Sequence, residues 1–255
     1  MNISIIGSGN VAWHLAKALK ASGNNLWQIT GRNENTVNEI ATLVAAEPNY
    51  SFQKINTNSD LLLLCVKDDA IEQLASLLPK TKGIVAHTSG FRSKNSLAAC
   101  SENFGIFYPL QTMKKHVEIS FETVPFLIEG NNTEVENELS TLAAQLSKSI
   151  HTVNELQRQY IHVAAVFANN FTNHLYELAE NILSAQNLSL DLLRPLMAQS
   201  AANVQQFSPS KLQTGPAARK DFFTIEAHLK LLSSDIEMTK VYSIITESIL
   251  RNKLV

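Results

Sequence analysis

The most constraining stretch of the 255 residues is nearly the first. A short branched run, Ile3-Ser4-Ile5-Ile6, ends on Gly7-Ser8-Gly9-Asn10-Val11-Ala12 and passes at once into an amphipathic stretch over residues 10–21. Two glycines at that spacing, with a strand before and a helix after, make a phosphate-binding turn. Gly7 permits the tight turn, Gly9 lets a pyrophosphate approach the backbone, and Ala12 packs the new helix on the sheet. The unpaired N–H groups and dipole of the helix start then favour an anion. Gly7, Ser8, Gly9, Asn10 and Val11 are therefore candidates for holding a dinucleotide. The competing reading is a glycine turn with no ligand, and the strand–helix alternation that follows argues against it.

That alternation recurs at residues 26–30 and 34–46. Residues 61–66 (LLLLCV), bounded by Asp60 and Lys67, form a continuous apolar run of the kind a central strand covered on both faces requires. Further strands are expected at 83–87, 104–108 and 124–129, then a helix at 134–147 and a short segment at 149–153. Beyond it only the helical period remains. Residues 154–187 contain no proline or glycine, so a helix of about 34 residues, roughly 50 Å, is allowed, and residues 163–168 are apolar all round. More helices are expected at 189–206, 221–233 and 235–252, with Ser208-Pro209-Ser210 and Thr214-Gly215-Pro216 as breakers. The expected architecture is an α/β Rossmann domain with a mostly parallel, doubly wound sheet over residues 1–153. An all-α domain with one long central helix follows over 154–255, serving substrate binding and dimerisation.

Composition narrows the partners. Twenty-one Lys plus Arg nearly balance 23 Asp plus Glu, and no basic run occurs, which disfavours a nucleic-acid partner. Cys65 and Cys100 have neither disulfide nor metal spacing, so reduced thiols and no metal are expected. The run at 61–66 is far short of the ~20 residues that span a bilayer, and no basic leader precedes Ile3; no membrane association and a cytoplasmic location are expected. Charged residues make up 17%, against a usual share of roughly 25%. With so little charge, and a helix longer than a domain of roughly 100 residues readily covers, a homodimer through the helical domain is expected.

The second strand should end at Thr30-Gly31-Arg32-Asn33. An NAD site normally places a carboxylate there against the ribose 2′-hydroxyl; here Arg32, with Asn33, would instead receive a 2′-phosphate, which favours NADP. Arg32 as a solvated loop cation is the alternative. In an open α/β sheet ligands bind beyond the carboxyl ends of the strands, so Val66 and Lys67 after one strand and Thr88 after the next should face the cofactor. His87 shares that edge. An imidazole ordinarily titrates near neutrality and suits proton transfer; a strand-end histidine holding a backbone carbonyl is the even alternative. Ser89 is counted with the catalytic candidates, although it lacks the G-x-S-x-G elbow of a serine nucleophile.

Five words spread over nearly the whole chain carry a resemblance. They are the glycine turn, residues 60–70 (DLLLLCVKDDA), Ala86-His87-Thr88-Ser89-Gly90, Tyr108-Pro109-Leu110-Gln111, and residues 214–221 (TGPAARKD). The chain resembles bacterial Rossmann-like proteins, often named as NADP oxidoreductases, that carry a helical C-terminal domain of unknown function. These are similar in architecture to pyrroline-5-carboxylate reductase, prephenate dehydrogenase and the 6-phosphogluconate dehydrogenase-like group. Lys67 stands where relatives usually have proline. The resemblance implies a substrate-facing role for His162 and Asn170 on the long helix, with hydrogen bonds to neighbouring helices as the alternative for Asn169 and His174. Arg219 could clamp a carboxylate, and Asp221 either joins it or caps a helix, with His228 a weaker candidate. The expected function is hydride transfer between NADP and a small polar substrate, a carboxylate-bearing C=O or C=N compound. The rival is a non-catalytic NADP-binding sensor or regulatory module, since fold alone does not separate the two.

Overall fold

Strand β1 (Asn2–Ile6) lies inside the sheet although it is first in the chain. In the computed structural model, which describes residues 1–252, it pairs in parallel with β2 (Asn25–Thr30) on one side and β4 (Leu61–Leu64) on the other. The remaining strands are β3 (Glu47–Asn49), β5 (Ile84–His87), β6 (Phe104–Pro109), β7 (Phe126–Gly130) and β8 (Ile150–Thr152). The order across the sheet is β3-β2-β1-β4-β5-β6-β7-β8. All neighbours are parallel except β6 and β7. The winding direction reverses between β1 and β4, which opens a crevice at their carboxyl ends.

Leu61 to Leu64 alternate between two cores. Leu61 and Leu63 join Ile3, Ile5, Leu15 and Phe107 on one face, whereas Leu62 and Leu64 join Ile6, Leu74 and Val85 on the other. All four are at most 2% exposed, each burial stabilising by about 1.5–3 kcal/mol. Helices α1 (Asn10–Ala21), α2 (Glu34–Val44), α3 (Ile71–Leu77) and α4 (Thr133–Ala144) accompany the sheet. Asn33 and Asn132 start α2 and α4 by accepting the Thr36 and Val135 N–H. Strand β3, absent from the sequence expectation, is only three residues long and contains Pro48, so it carries no strand signal of its own.

Asn154 and Gln157 form a capping box that begins α5 (Glu155–Ala165). A π-helical segment, Val166–Phe171, follows, and then α6 (Thr172–Ser184). The stretch expected as one α-helix is thus helical from Glu155 to Ser184 but changes its winding in the middle. Contacts divide the chain into two compact units, Met1–Asn170 and a second that starts at Phe171. The expected boundary at residue 153 followed the end of the strand pattern. The unit instead takes in α5, whose buried Arg158 is bonded to the sheet side.

The second unit is helical: α6, α7 (Arg194–Val204), α8 (Pro209–Leu212), α9 (Pro216–Arg219), α10 (Phe222–Leu232) and α11 (Ile236–Asn252). A short 3-10 turn, Leu190–Leu192, separates α6 from α7, where Pro195 occupies the first turn and the expected helix over 189–206 accordingly begins late. Leu175, Leu178, Ile182, Leu232, Val241 and Ile245 help line a cavity of about 350 Å³ within this unit. Among the described residues, no helix is long and apolar enough to cross a membrane.

Candidate functional site

The crevice at the carboxyl ends of β1 and β4 is shaped by two glycines that differ in kind. Gly7 has φ +120°, and a Cβ there would lie 2.1 Å from the Cys65 carbonyl oxygen, so only glycine lets the turn pass β4. Gly9, by contrast, has nothing within 4 Å of where its Cβ would be. Its freedom is not demanded by the protein's own packing; it leaves the approach to the start of α1 open. No side chain caps that helix and its first turn carries no acid, so its leading N–H groups remain available to an anion. Asn10 Oδ1 accepts the Lys115 N–H at 3.2 Å, Val11 is half-buried against the core, and Ala12 is fully buried against the sheet, as helix packing requires. Ser8 uses its hydroxyl on Thr36 Oγ1 at 2.7 Å, tying the turn to α2.

Beyond β2, Gly31 leads to exposed Arg32, which has no hydrogen bond or ion pair among the described residues. No carboxylate stands in Thr30-Gly31-Arg32-Asn33. Asn33 spends its side-chain oxygen on the Thr36 N–H at 3.2 Å and so braces α2. Val66 is half-buried and Lys67 exposed in the turn after β4; Thr88 N–H donates to Leu64 O at 3.2 Å, fastening the next strand end beside them. The chain's residues thus fit a dinucleotide: an open glycine at an uncapped helix start, and an unpaired guanidinium in place of the acid that would repel a 2′-phosphate.

After β5 the candidates take other parts. His87 is fully buried; its Nδ1 accepts the Ser89 N–H at 3.1 Å and its Nε2 lies 3.2 Å from the Ser93 carbonyl. Burial lowers its pKa to about 4, against the effect of the Ser93 bond. A neutral ring with both nitrogens occupied is a brace for the loop, not a proton donor at neutral pH. Ser89 likewise accepts the Phe91 and Arg92 N–H groups at 3.1 and 3.0 Å.

A group that the sequence reading passed over holds this loop. Arg158, 0% exposed, reaches Glu129 Oε2 through Nε and a terminal nitrogen at 3.4 and 3.3 Å, and its other terminal nitrogen donates to Ser89 O at 3.2 Å. Lys94 pairs with the other Glu129 oxygen. The available signal was Glu129 at the end of the apolar run Phe126-Leu127-Ile128: an acid inside a buried strand needs a cation. One turn after Arg158 in α5, half-buried His162 places Nδ1 3.1 Å from the Tyr108 hydroxyl. Tyr108 ends β6 at the crevice edge that an open α/β sheet gives to ligands, and its pairing with His162 has no signal in local sequence. Asn170 is exposed, whereas Asn169 donates to Thr112 Oγ1.

The other candidates lie in the second unit. Asp221 caps α10, accepting the Thr224 N–H and hydroxyl at 3.1 and 2.8 Å, which hold its carboxyl below the usual range. Arg219 is exposed, its side chain making no hydrogen bond or ion pair among the described residues, and His228 Nδ1 pairs with the Tyr242 hydroxyl at 2.9 Å. His174 pairs with Glu177 on its own helix.

Comparison with known proteins gives the family. Residues 2–90 match the family described as NADP oxidoreductase, coenzyme F420-dependent, and residues 124–249 match a domain of unknown function, DUF2520. The crystal structure of a protein from Bacteroides fragilis provisionally named an NADP oxidoreductase is 36% identical, covers 98% of each chain and superposes with a TM-score of 0.93. Two more distant structures share the fold. Pyrroline-5-carboxylate reductase from Streptococcus pyogenes is 21% identical over 100% of this chain and 99% of its own, with a TM-score of 0.63. An imine reductase from Myxococcus stipitatus, in complex with NADP+, is 16% identical over 98% and 92%, with a TM-score of 0.64. No curated protein matches the chain. The open glycine turn, the unpaired Arg32 and the likeness over the whole length place the chain in the NADP oxidoreductase family whose nucleotide-binding domain is followed by DUF2520.

Proposed function

We propose that the protein transfers a hydride between NADP and a small polar substrate with a C=O or C=N bond, one bearing a carboxylate, and that it works as a cytoplasmic homodimer. The observation that carries the reading is the pairing of open Gly9 at the uncapped start of α1 with unpaired Arg32 at the end of β2. When bound, the nicotinamide would supply the hydride. The chain's part is to hold and orient. The α1 N–H groups take the pyrophosphate, Arg32 takes the 2′-phosphate, and the bonded loop after β5 keeps the crevice edge in place.

Of the two histidines at this strand edge, His162 is the one left to face a substrate heteroatom, because both nitrogens of His87 are engaged. Two proteins of the same architecture are named for C=N chemistry, which makes cyclic and open-chain imines the first compounds to try beside keto acids. Support for the homodimer comes from the second unit, where Phe223, Leu231, Ile236 and Ile244 are 85, 80, 69 and 68% exposed.

Fluorescence titration tests the cofactor. NADPH should bind at least about tenfold more tightly than NADH, and Arg32→Asp should reverse the order by putting a negative charge against the 2′-phosphate. Equal affinities in the unmodified protein would overturn the assignment of Arg32. Oxidation of NADPH against the imine and keto-acid panel tests turnover; tight binding with no turnover of any compound would move the protein to the sensor class.

A further inference from the structure

We infer that Tyr108 fixes the neutral form of His162 as the tautomer protonated on Nε2, presenting an N–H donor at the carboxyl edge of β5 and β6. This rests on the oxidoreductase reading above only for what the donor is for; the tautomer itself follows from the contacts. Three segments meet at the ring: the end of β6 brings Tyr108, α5 brings His162, and the loop after β5 brings Gly90. The Tyr108 and His162 rings meet edge to face, with centroids 6.0 Å apart and planes at 64°. A Cβ on Gly90 would stand 2.6 Å from His162 Nδ1 and 2.8 Å from Tyr108 Cζ, so the absence of a side chain at 90 is what lets the pair form. Arg158, four residues earlier and so on the same helical face, is tied to Ser89 O and Glu129, which sets the rotation of α5 about its axis.

The direction of the Tyr108–His162 bond decides the tautomer. Burial pushes the Tyr108 phenol up to about 12, with the Asp68 charge adding to it, so the hydroxyl keeps its proton. Nδ1 of His162 is the one acceptor that the hydroxyl has among the described residues. With Nδ1 accepting, the proton of the neutral ring sits on Nε2. His87 has the same arrangement at Nδ1, but its Nε2 is spent on the Ser93 carbonyl. Nε2 of His162 has no protein partner among the described residues. A neutral N–H held in this way polarises the heteroatom of a C=O or C=N bond as charge develops there, without giving up its own proton. Tyr108 is then a positioning residue.

The test is nitrogen NMR of the protein with 15N-labelled histidine rings, the His162 signals identified by their loss in His162→Gln. The unmodified protein without added nucleotide should show His162 as a single species, with a pyrrole-type Nε2 and a hydrogen-bonded pyridine-type Nδ1. In Tyr108→Phe the Nδ1 resonance should move to the position of a free acceptor. An Nδ1-protonated ring in the unmodified protein, or an Nδ1 resonance unchanged in Tyr108→Phe, would overturn the inference, and the first result needs no variant to fold. Once a substrate is found, Tyr108→Phe should lower kcat about ten- to hundredfold with NADPH affinity unchanged. If NADPH fails to bind but the tautomer is as stated, the oxidoreductase reading falls and the Tyr108–His162 assignment stands.

Discussion

The two units use apolar residues in opposite ways. In the first, Leu61 to Leu64 and their neighbours on both faces of the sheet are almost wholly shielded. Among the described residues from Phe171 onward, only Ala217 and Ile225 of the apolar side chains reach comparable burial, while Phe223 and Leu231 stand 85 and 80% exposed. A parallel sheet covered by helices closes its own core, whereas a set of amphipathic helices with apolar residues on several sides needs something further to cover them.

The same substitution in each unit gives the sharpest contrast. Leu63→Asp should cost more than about 4 kcal/mol and unfold the first unit, an effect readable in tryptophan fluorescence because Trp13 and Trp27 both lie there. Leu231→Asp should leave that signal within about 0.5 kcal/mol of the unmodified protein, yet weaken the dimer at least about thirtyfold in light scattering coupled to size exclusion. A monomeric unmodified protein at micromolar concentration would break the comparison outright, since the exposed faces would then be plain surface. Next in size, Arg158→Met should destabilise the first unit by about 3 kcal/mol in urea unfolding, because Glu129 and Ser89 O lose their buried partner.

Acid provides a third, comparable effect confined to the first unit. With the folded pKa of His87 lowered to about 4 from 6.5, the unfolded chain binds a proton in that window that the folded chain refuses. Stability should therefore fall as the pH drops from about 6.5 towards 4, by up to about 3 kcal/mol, and His87→Gln should flatten that slope. A slope unchanged in the variant would mean that other groups set it. Gly9→Ala should change stability by no more than about 1 kcal/mol, because open space surrounds the added methyl. NADPH binding should nonetheless weaken markedly in that variant, while Gly7→Ala, which collides with Cys65 O, should fail to fold.

Local sequence revealed most of the first unit because its signals are local: a glycine turn between a strand and a helix, and an apolar run short enough to be a central strand. The strand expected at 104–108 is observed as Phe104–Pro109 and that at 83–87 as Ile84–His87. What escaped depends on contacts across long separations. Arg158 reads as one more polar residue on a helix until Glu129, 29 positions away, is placed beside it. His87 reads equally as a proton donor and as a strand-end histidine holding a backbone carbonyl, until the Ser93 carbonyl and the Ser89 N–H are seen to occupy both nitrogens and decide for the second. The π winding of Val166–Phe171 has no marker in residue spacing, so one long α-helix was the natural expectation.

The outermost strands of the sheet have a consequence for life at high concentration. An open eight-stranded sheet has two rims, each a row of backbone groups that another chain could extend into an aggregate. One rim is β3, three residues long with Pro48 at its centre, so a newcomer meets a position that has no N–H to give. The other is β8, also three residues, and the chain leaves it for a helix after Thr152. Both ends of the sheet are too short to template growth, so any association between copies is left to side chains rather than to backbone pairing.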